Sequence, residues 1–94
     1  MKYITIQNQN YMIMKDYKSG FDLESVQEKI TDYFKNFDYI VGDWSYGKLR
    51  LKGFNSKTNP NFKEINDIDK VEEYIRNQCA YECRYFILSK EQNN

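Results

Sequence analysis

The sequence of 94 residues contains no histidine, one proline and two cysteines. Without histidine, the Ser-His-Asp and Cys-His nucleophile systems and the histidine-based metal sites are excluded. The side chain whose ordinary pKa lies closest to neutrality is therefore missing as well. Charged or amide residues also interrupt every apolar run before the roughly 18 residues that a membrane-spanning helix needs. The sequence thus favours a small non-enzymatic protein with no membrane association.

The N-terminal stretch shows no targeting signal. After Lys2, apolar and polar residues alternate up to residue 7. This stretch has neither an apolar run of signal-peptide length nor a small-residue cleavage site. We therefore expect a cytoplasmic protein. In a reducing cytosol Cys79 and Cys83 are expected to be free thiols, and no cofactor or metal is expected. The length predicts one domain over residues 1–94, with a frayed tail over residues 90–94.

Hydrophobic spacing predicts seven elements in the order β-β-α-β-β-α-β. An opening hairpin over residues 2–15 turns at residues 8–10, and a second hairpin over residues 38–54 turns at Ser-Tyr-Gly. Apolar residues three and four apart predict a helix over residues 22–36. A capping-box pattern at residues 69–72 predicts a second helix over residues 69–78.

These elements predict an α+β fold with two helices packed on one mainly antiparallel sheet. Both helices are expected to cover one face of that sheet and to bury Val26, Ile30, Phe34, Val71 and Ile75. The last strand, residues 84–89, is apolar on both sides, which is typical of a central strand covered on both faces.

Two segments resemble the YutD-like family of small uncharacterised proteins from low-GC Gram-positive bacteria. Residues 37–54 read FDYIVGDWSYGKLRLKGF, and residues 79–88 read CAYECRYFIL. Residues 11–17 and Gly20 are also similar to that family. The resemblance implies a small bacterial protein with no established activity, so it assigns no catalytic or ligand-binding residue.

Charge is divided unevenly along a chain with 14 basic and 14 acidic residues. Residues 48–63 carry a net charge of +5 without any acid, whereas residues 21–47 and 64–82 each carry −4. Lys48, Arg50 and Lys52 recur at every second position, so they share one face of a strand at intervals of about 6.7 Å. That interval is comparable to the phosphate spacing of an extended single strand.

Aromatic residues flank this basic strand. Trp44 and Tyr46 lie at the turn of the same hairpin, and a sheet with cations and exposed rings is a common platform for single-stranded nucleic acid. We therefore hypothesise a non-enzymatic binding module that contacts its ligand through Lys48, Arg50, Lys52, Trp44 and Tyr46. RNA or a ribonucleoprotein surface is the first candidate ligand, and an acidic protein surface is the second.

Three alternatives compete with this hypothesis. The cations of the strand could instead neutralise Asp38, Asp43 or the acidic helices. Cys79 and Cys83 could form a redox pair, or they could supply half of a zinc site that a dimer would complete. Asp43 could act as a catalytic carboxylate with Asp38, or it could pair with a cation of the neighbouring strand.

Overall fold

The computed structural model describes residues 2–78 and 83–91. The strands are β1 (Lys2–Ile6), β2 (Gln9–Tyr17), β3 (Tyr39–Ser45), β4 (Lys48–Phe54) and β5 (Tyr85–Lys90), and the α-helices are α1 (Leu23–Lys29) and α2 (Val71–Gln78). The strands form one sheet in the order β1-β2-β5-β3-β4, and each pair of neighbours is antiparallel. The predicted α+β class and element order are confirmed. Within the described ranges, no helix has the length and apolarity needed to cross a membrane.

The predicted helix over residues 22–36 consists of two shorter segments. Asp22 begins α1 by accepting a hydrogen bond from the Ser25 backbone N–H, and α1 ends at Lys29. Ile30 is extended, with φ −73° and ψ 134°, and a 3-10 turn follows over Asp32–Asn36. The Gln7 side-chain amide donates to the Ile30 carbonyl at 3.1 Å, and this bond satisfies the acceptor where the helix stops.

The second helix begins two residues later than predicted. A 3-10 turn over Ile68–Lys70 precedes α2, so the cap is Asp67, whose carboxylate accepts from the Asp69 backbone N–H at 3.0 Å. The predicted capping box at Asp69 is therefore wrong, because a tighter turn occupies that position. Cys79, at the end of the predicted helical stripe, lies outside the described residues.

The two helices pack on opposite faces of the sheet, so the expectation that both cover one face is wrong. The α1 face has a core of nine buried residues, which are Ile6, Tyr11, Val26, Ile30, Phe34, Ile40, Leu49, Phe86 and Leu88. On the α2 face, Val71 and Ile75 pack half-buried against Val41, Phe54 and Ile87. The central strand β5 contributes apolar side chains to both cores, which confirms its predicted cover on both sides.

Gly42 explains how β3 and β5 come together on the α1 face. The ring of Phe86 lies across Gly42, and a Cβ atom at Gly42 would lie 2.1 Å from the nearest ring carbon. Any larger residue would displace a side chain that is fully buried. Glycine is therefore required at this point of the sheet for packing.

Further predicted boundaries differ in the structure. The first hairpin turns at Gln7 and Asn8, one residue before the predicted turn. Strand β5 includes Lys90, and the Glu91 backbone N–H donates to the Asn10 carbonyl at 2.9 Å. The predicted frayed tail is therefore wrong for residues 90–91, because β5 keeps its contact with β2. Residues 92–94 lie outside the described part.

Candidate binding surface at the hairpin tip

The β3–β4 hairpin closes through a two-residue turn at Tyr46 and Gly47. Ser45 pairs with Lys48, and the two turn residues have φ values of 52° and 76°. Turns with positive φ at both central positions match the right-handed twist of the flanking strands. The turn places Tyr46 at the end of the sheet with its side chain entirely in solvent, at 103% relative exposure.

Arg50 is bound to a carboxylate inside the hairpin. It lies opposite Asp43 in the β3–β4 register, and its Nε and Nη2 atoms donate to the two Asp43 oxygens at 3.0 and 2.7 Å. Asp43 is only 2% exposed, and its hydrogen bonds hold the pKa of Arg50 above the ordinary value. Arg50 also donates to the carbonyl of Gln78, the last residue of α2. The pairing of Asp43 with a cation of the neighbouring strand is confirmed.

Lys52 is likewise engaged within the fold. Its ammonium group lies 5.0 Å from the ring centroids of both Phe54 and Tyr74, and it donates to the Ile65 carbonyl at 2.6 Å. These contacts join β4 to α2 and to the loop that precedes it. Two of the three cations in the predicted row therefore belong to the interface between the sheet and α2.

Lys48 and Tyr46 remain exposed at the hairpin tip. Next to them, Trp44 is half-buried, and its indole N–H donates to the Gly20 carbonyl at 2.7 Å. The outer side of the indole is covered by the guanidinium of Arg84, 4.7 Å from the ring centroid. We call Trp44, Tyr46, Lys48 and Arg84 the hairpin-tip surface.

Arg84 was missed by sequence reasoning. It precedes β5, its backbone carbonyl accepts from the Trp44 backbone N–H at 3.1 Å, and its Nη2 donates to the Ser19 carbonyl at 2.9 Å. In the sequence Arg84 is the first residue of the predicted last strand, and that position does not reveal that β5 lies next to β3. Its role became visible only with the strand order.

The two carboxylates of the alternative catalytic hypothesis are not brought together. Asp38 precedes the first residue of β3 and accepts hydrogen bonds from the backbone N–H and hydroxyl of Ser56. Asp43 lies toward the opposite end of the strand and binds Arg50. Asp38 therefore binds the segment that follows β4, whereas Asp43 binds a residue within β4.

Cys83 is disulfide-bonded in the structure, so the expectation of a free thiol at this position is wrong. That expectation rested on an assumed reducing compartment, and the oxidation state of a thiol pair depends on its surroundings as well as on its sequence. Cys79 lies outside the described residues. Within residues 2–78 and 83–91, no three side chains are grouped in a way that could hold a metal ion.

Comparisons with known proteins agree on one family. Residues 5–89 match the family model described as "Putative antitoxin YutD-like". A curated relative from Bacillus subtilis (strain 168), described as "Putative antitoxin YutD", is 39% identical over 87 residues, which are 93% of this chain and 96% of the relative. The solution NMR structure of protein yutD from B. subtilis superposes with a TM-score of 0.82 at 36% identity and covers 99% of this chain and 84% of that chain.

Proposed function

Because the chain belongs to the YutD-like family, we propose that it is a non-enzymatic binding protein that contacts a partner protein through the hairpin-tip surface. The family's description as "putative antitoxin" supports a protein partner, since a toxin is the molecule that an antitoxin counteracts. The positive charges of Lys48 and Arg84 on this surface support a partner with exposed acidic groups.

The observation that carries the proposal is the conformation of Tyr46. Its φ of 52° is uncommon for a residue with a bulky side chain, and asparagine or glycine is preferred at this turn position. Its ring is fully exposed, so no packing within the described fold offsets the unfavourable backbone conformation. A residue that costs the fold stability and adds no fold contact fits a role in recognition.

The first hairpin provides a comparison. Gln7 and Asn8 also have positive φ values, of 50° and 66°. The side chain of Gln7, however, donates to the Ile30 carbonyl and so contributes a contact between the turn and the end of α1. The unusual residue in the first turn thus has a role in the fold, whereas Tyr46 has none among the described residues.

Charge favours an acidic protein over a single-stranded nucleic acid. Arg50 and Lys52 bind groups within the chain, so the regular row of three cations that would follow phosphates is reduced to Lys48. Two positive charges still lie near the hairpin tip: Arg84 covers the Trp44 ring on the α1 face, and Lys48 lies on the other face, two residues from the exposed Tyr46. Aromatic and arginine side chains are enriched at the centres of protein interfaces.

The test is affinity capture from the native bacterium with nuclease-treated lysate, using the parent protein, Tyr46→Asn, Lys48→Glu and Tyr33→Asn. Tyr33 is a matched control, because it is 67% exposed and lies in the 3-10 turn near the other end of β3. We expect the parent and Tyr33→Asn to retain one protein at equal yield. Tyr46→Asn and Lys48→Glu should lose at least about 80% of it, consistent with loss of a contact worth 1 to 2 kcal/mol.

Loss of binding in Tyr46→Asn must not reflect unfolding. Asparagine followed by glycine suits this turn, so the free energy of unfolding should rise by about 0.5 to 1 kcal/mol. Undiminished capture by Tyr46→Asn would place the interface elsewhere. Capture that occurs only in lysate without nuclease would instead identify RNA as the ligand.

A further inference from the structure

A pocket lies at the opposite end of the sheet from the hairpin-tip surface, beneath the Gln7–Asn8 turn. It has a volume of about 270 Å³ and an apolar floor of Ile6 and Ile30, both buried. The turn forms its roof and is held by the hydrogen bond from Gln7 to the Ile30 carbonyl. This volume is near the lower end for ligand sites, so it suits a small molecule.

Tyr11 presents a polar group to this pocket. The residue is only 4% exposed, and no hydrogen-bond partner for its hydroxyl exists in residues 2–78 and 83–91. Burial raises the pKa of the phenol, so the hydroxyl keeps its proton and can donate. Among the described residues, no fully buried side-chain nitrogen or oxygen lacks a hydrogen-bond partner, so the Tyr11 hydroxyl is accessible and free to bind a group in the pocket.

The charged residues that line the pocket, among those described, are two lysines. They are Lys35 and Lys90, and no carboxylate from residues 2–78 or 83–91 lines it. The ammonium group of Lys90 donates to the Lys35 carbonyl at 2.6 Å, which ties β5 to the 3-10 turn after α1. Lys35 also pairs with Asp32 at 3.2 Å outside the pocket lining.

We propose that this pocket binds a small organic carboxylate. The carboxylate accepts hydrogen bonds from the Tyr11 hydroxyl and lies near Lys35 and Lys90, while the short apolar part of the ligand packs on Ile6 and Ile30. An apolar floor with a few converging donors distinguishes this site from a simple anion site, which needs no apolar wall. The inference does not depend on the proposed partner of the hairpin-tip surface.

The probe is benzoate, compared with benzamide as its neutral counterpart and with inorganic phosphate as an anion without an apolar part. Titrations followed by ¹H–¹⁵N NMR should give saturable shifts of the Gln7, Asn8 and Thr31 amides with benzoate, with a dissociation constant in the millimolar range or below. Benzamide and phosphate should each bind at least about tenfold more weakly, because each lacks one of the two required features.

The matched variants are Tyr11→Phe and Lys90→Met, with Tyr3→Phe and Lys29→Met as controls on exposed tyrosine and lysine. Tyr11→Phe should weaken benzoate binding about tenfold, because it removes a hydrogen bond to a charged group. Its melting temperature should equal or exceed that of the parent, since the lost hydroxyl has no partner in the described fold. Lys90→Met should also weaken binding, and both controls should bind as the parent does.

Three results would overturn the proposal. Benzoate could fail to give saturable shifts at these amides, or benzamide or phosphate could bind as tightly as benzoate. Tyr11→Phe could also bind benzoate with unchanged affinity while remaining folded, which would place any binding outside the pocket.

Discussion

The two faces of β4 differ in what they contribute to the fold. Toward α1, Leu49 and Leu51 join an apolar core, whereas toward α2 the alternate residues Arg50 and Lys52 make charged contacts. Arg50 and Lys52 therefore make contacts within the fold, although the Arg50 side chain stays 44% exposed, whereas Lys48 remains in solvent. The long stems of arginine and lysine can pack on apolar groups while their charged ends find partners.

Alternation along a strand shows which side chains share a face, but not whether that face meets water. On the α2 face the buried Asp43 carboxylate gives Arg50 a partner, and the rings of Phe54 and Tyr74 give Lys52 another. The α1 face has no such charged contacts at its centre among the residues described.

The largest effect is expected at the centre of the α1 face. Phe86→Ala should lower the free energy of unfolding by about 3 to 5 kcal/mol, because it leaves a cavity beneath α1 beside Gly42. Urea denaturation measures the change. Tyr33→Ala removes a ring that is 67% exposed and contacts only the edges of the core at Phe34 and Phe37, so it should cost no more than about 1.5 kcal/mol. Similar losses for both variants would show that this face is not the apolar core of the fold.

A smaller effect is expected for Lys52→Met on the α2 face. Methionine keeps the apolar stem but loses the attraction to the two rings and the hydrogen bond to Ile65, so stability should fall by about 1 kcal/mol. Lys63→Met provides the control, since Lys63 is exposed, and should change stability by less than about 0.5 kcal/mol. Equal results in urea denaturation would mean that Lys52 makes no net contribution to the interface.

The smallest effect concerns the polar start of α1. Hydrogen bonds from the Ser25 hydroxyl and then from its backbone N–H lower the pKa of Asp22 below its ordinary value of 3.8. Because the folded-state pKa is lowered, the Asp22 cap stabilises the fold at pH values above the unfolded-state pKa. This contribution is lost as the pH falls through the folded-state pKa. In an NMR pH titration, Ser25→Ala should raise the pKa of Asp22, and Ser19→Ala should not. An Asp22 pKa at or above 3.8 in the parent would contradict this cap.

Much of the fold could be predicted from local patterns. The alternation of Leu49 and Leu51 with cations identified the return strand of the second hairpin, and the apolar character of residues 84–89 identified a central strand. That same strand already required cover on both faces. A helical stripe, however, shows only that a helix buries one side, and it contains no information on which face of the sheet receives it.

The features that could not be predicted depend on contacts between distant segments. The end of α1 at Lys29 involves an amide from Gln7 in the first turn, and the cover on Trp44 comes from Arg84 at the start of β5. The pocket beneath the first turn likewise joins Tyr11 to residues after α1 and in β5. Neither spacing nor composition reports such pairs before the strand order is known.

The most direct test of the account compares Arg50→Met with Lys48→Met, two changes on the same face of the same strand. Arg50→Met should lower the free energy of unfolding by about 2 to 3 kcal/mol, because it leaves the buried Asp43 carboxylate without its partner. This is less than for a fully buried pair, since the Arg50 side chain is 44% exposed. Lys48→Met should change stability by less than about 0.5 kcal/mol. If urea denaturation shows Arg50→Met to be as neutral as Lys48→Met, the cations of β4 lie on a free surface and the account is wrong.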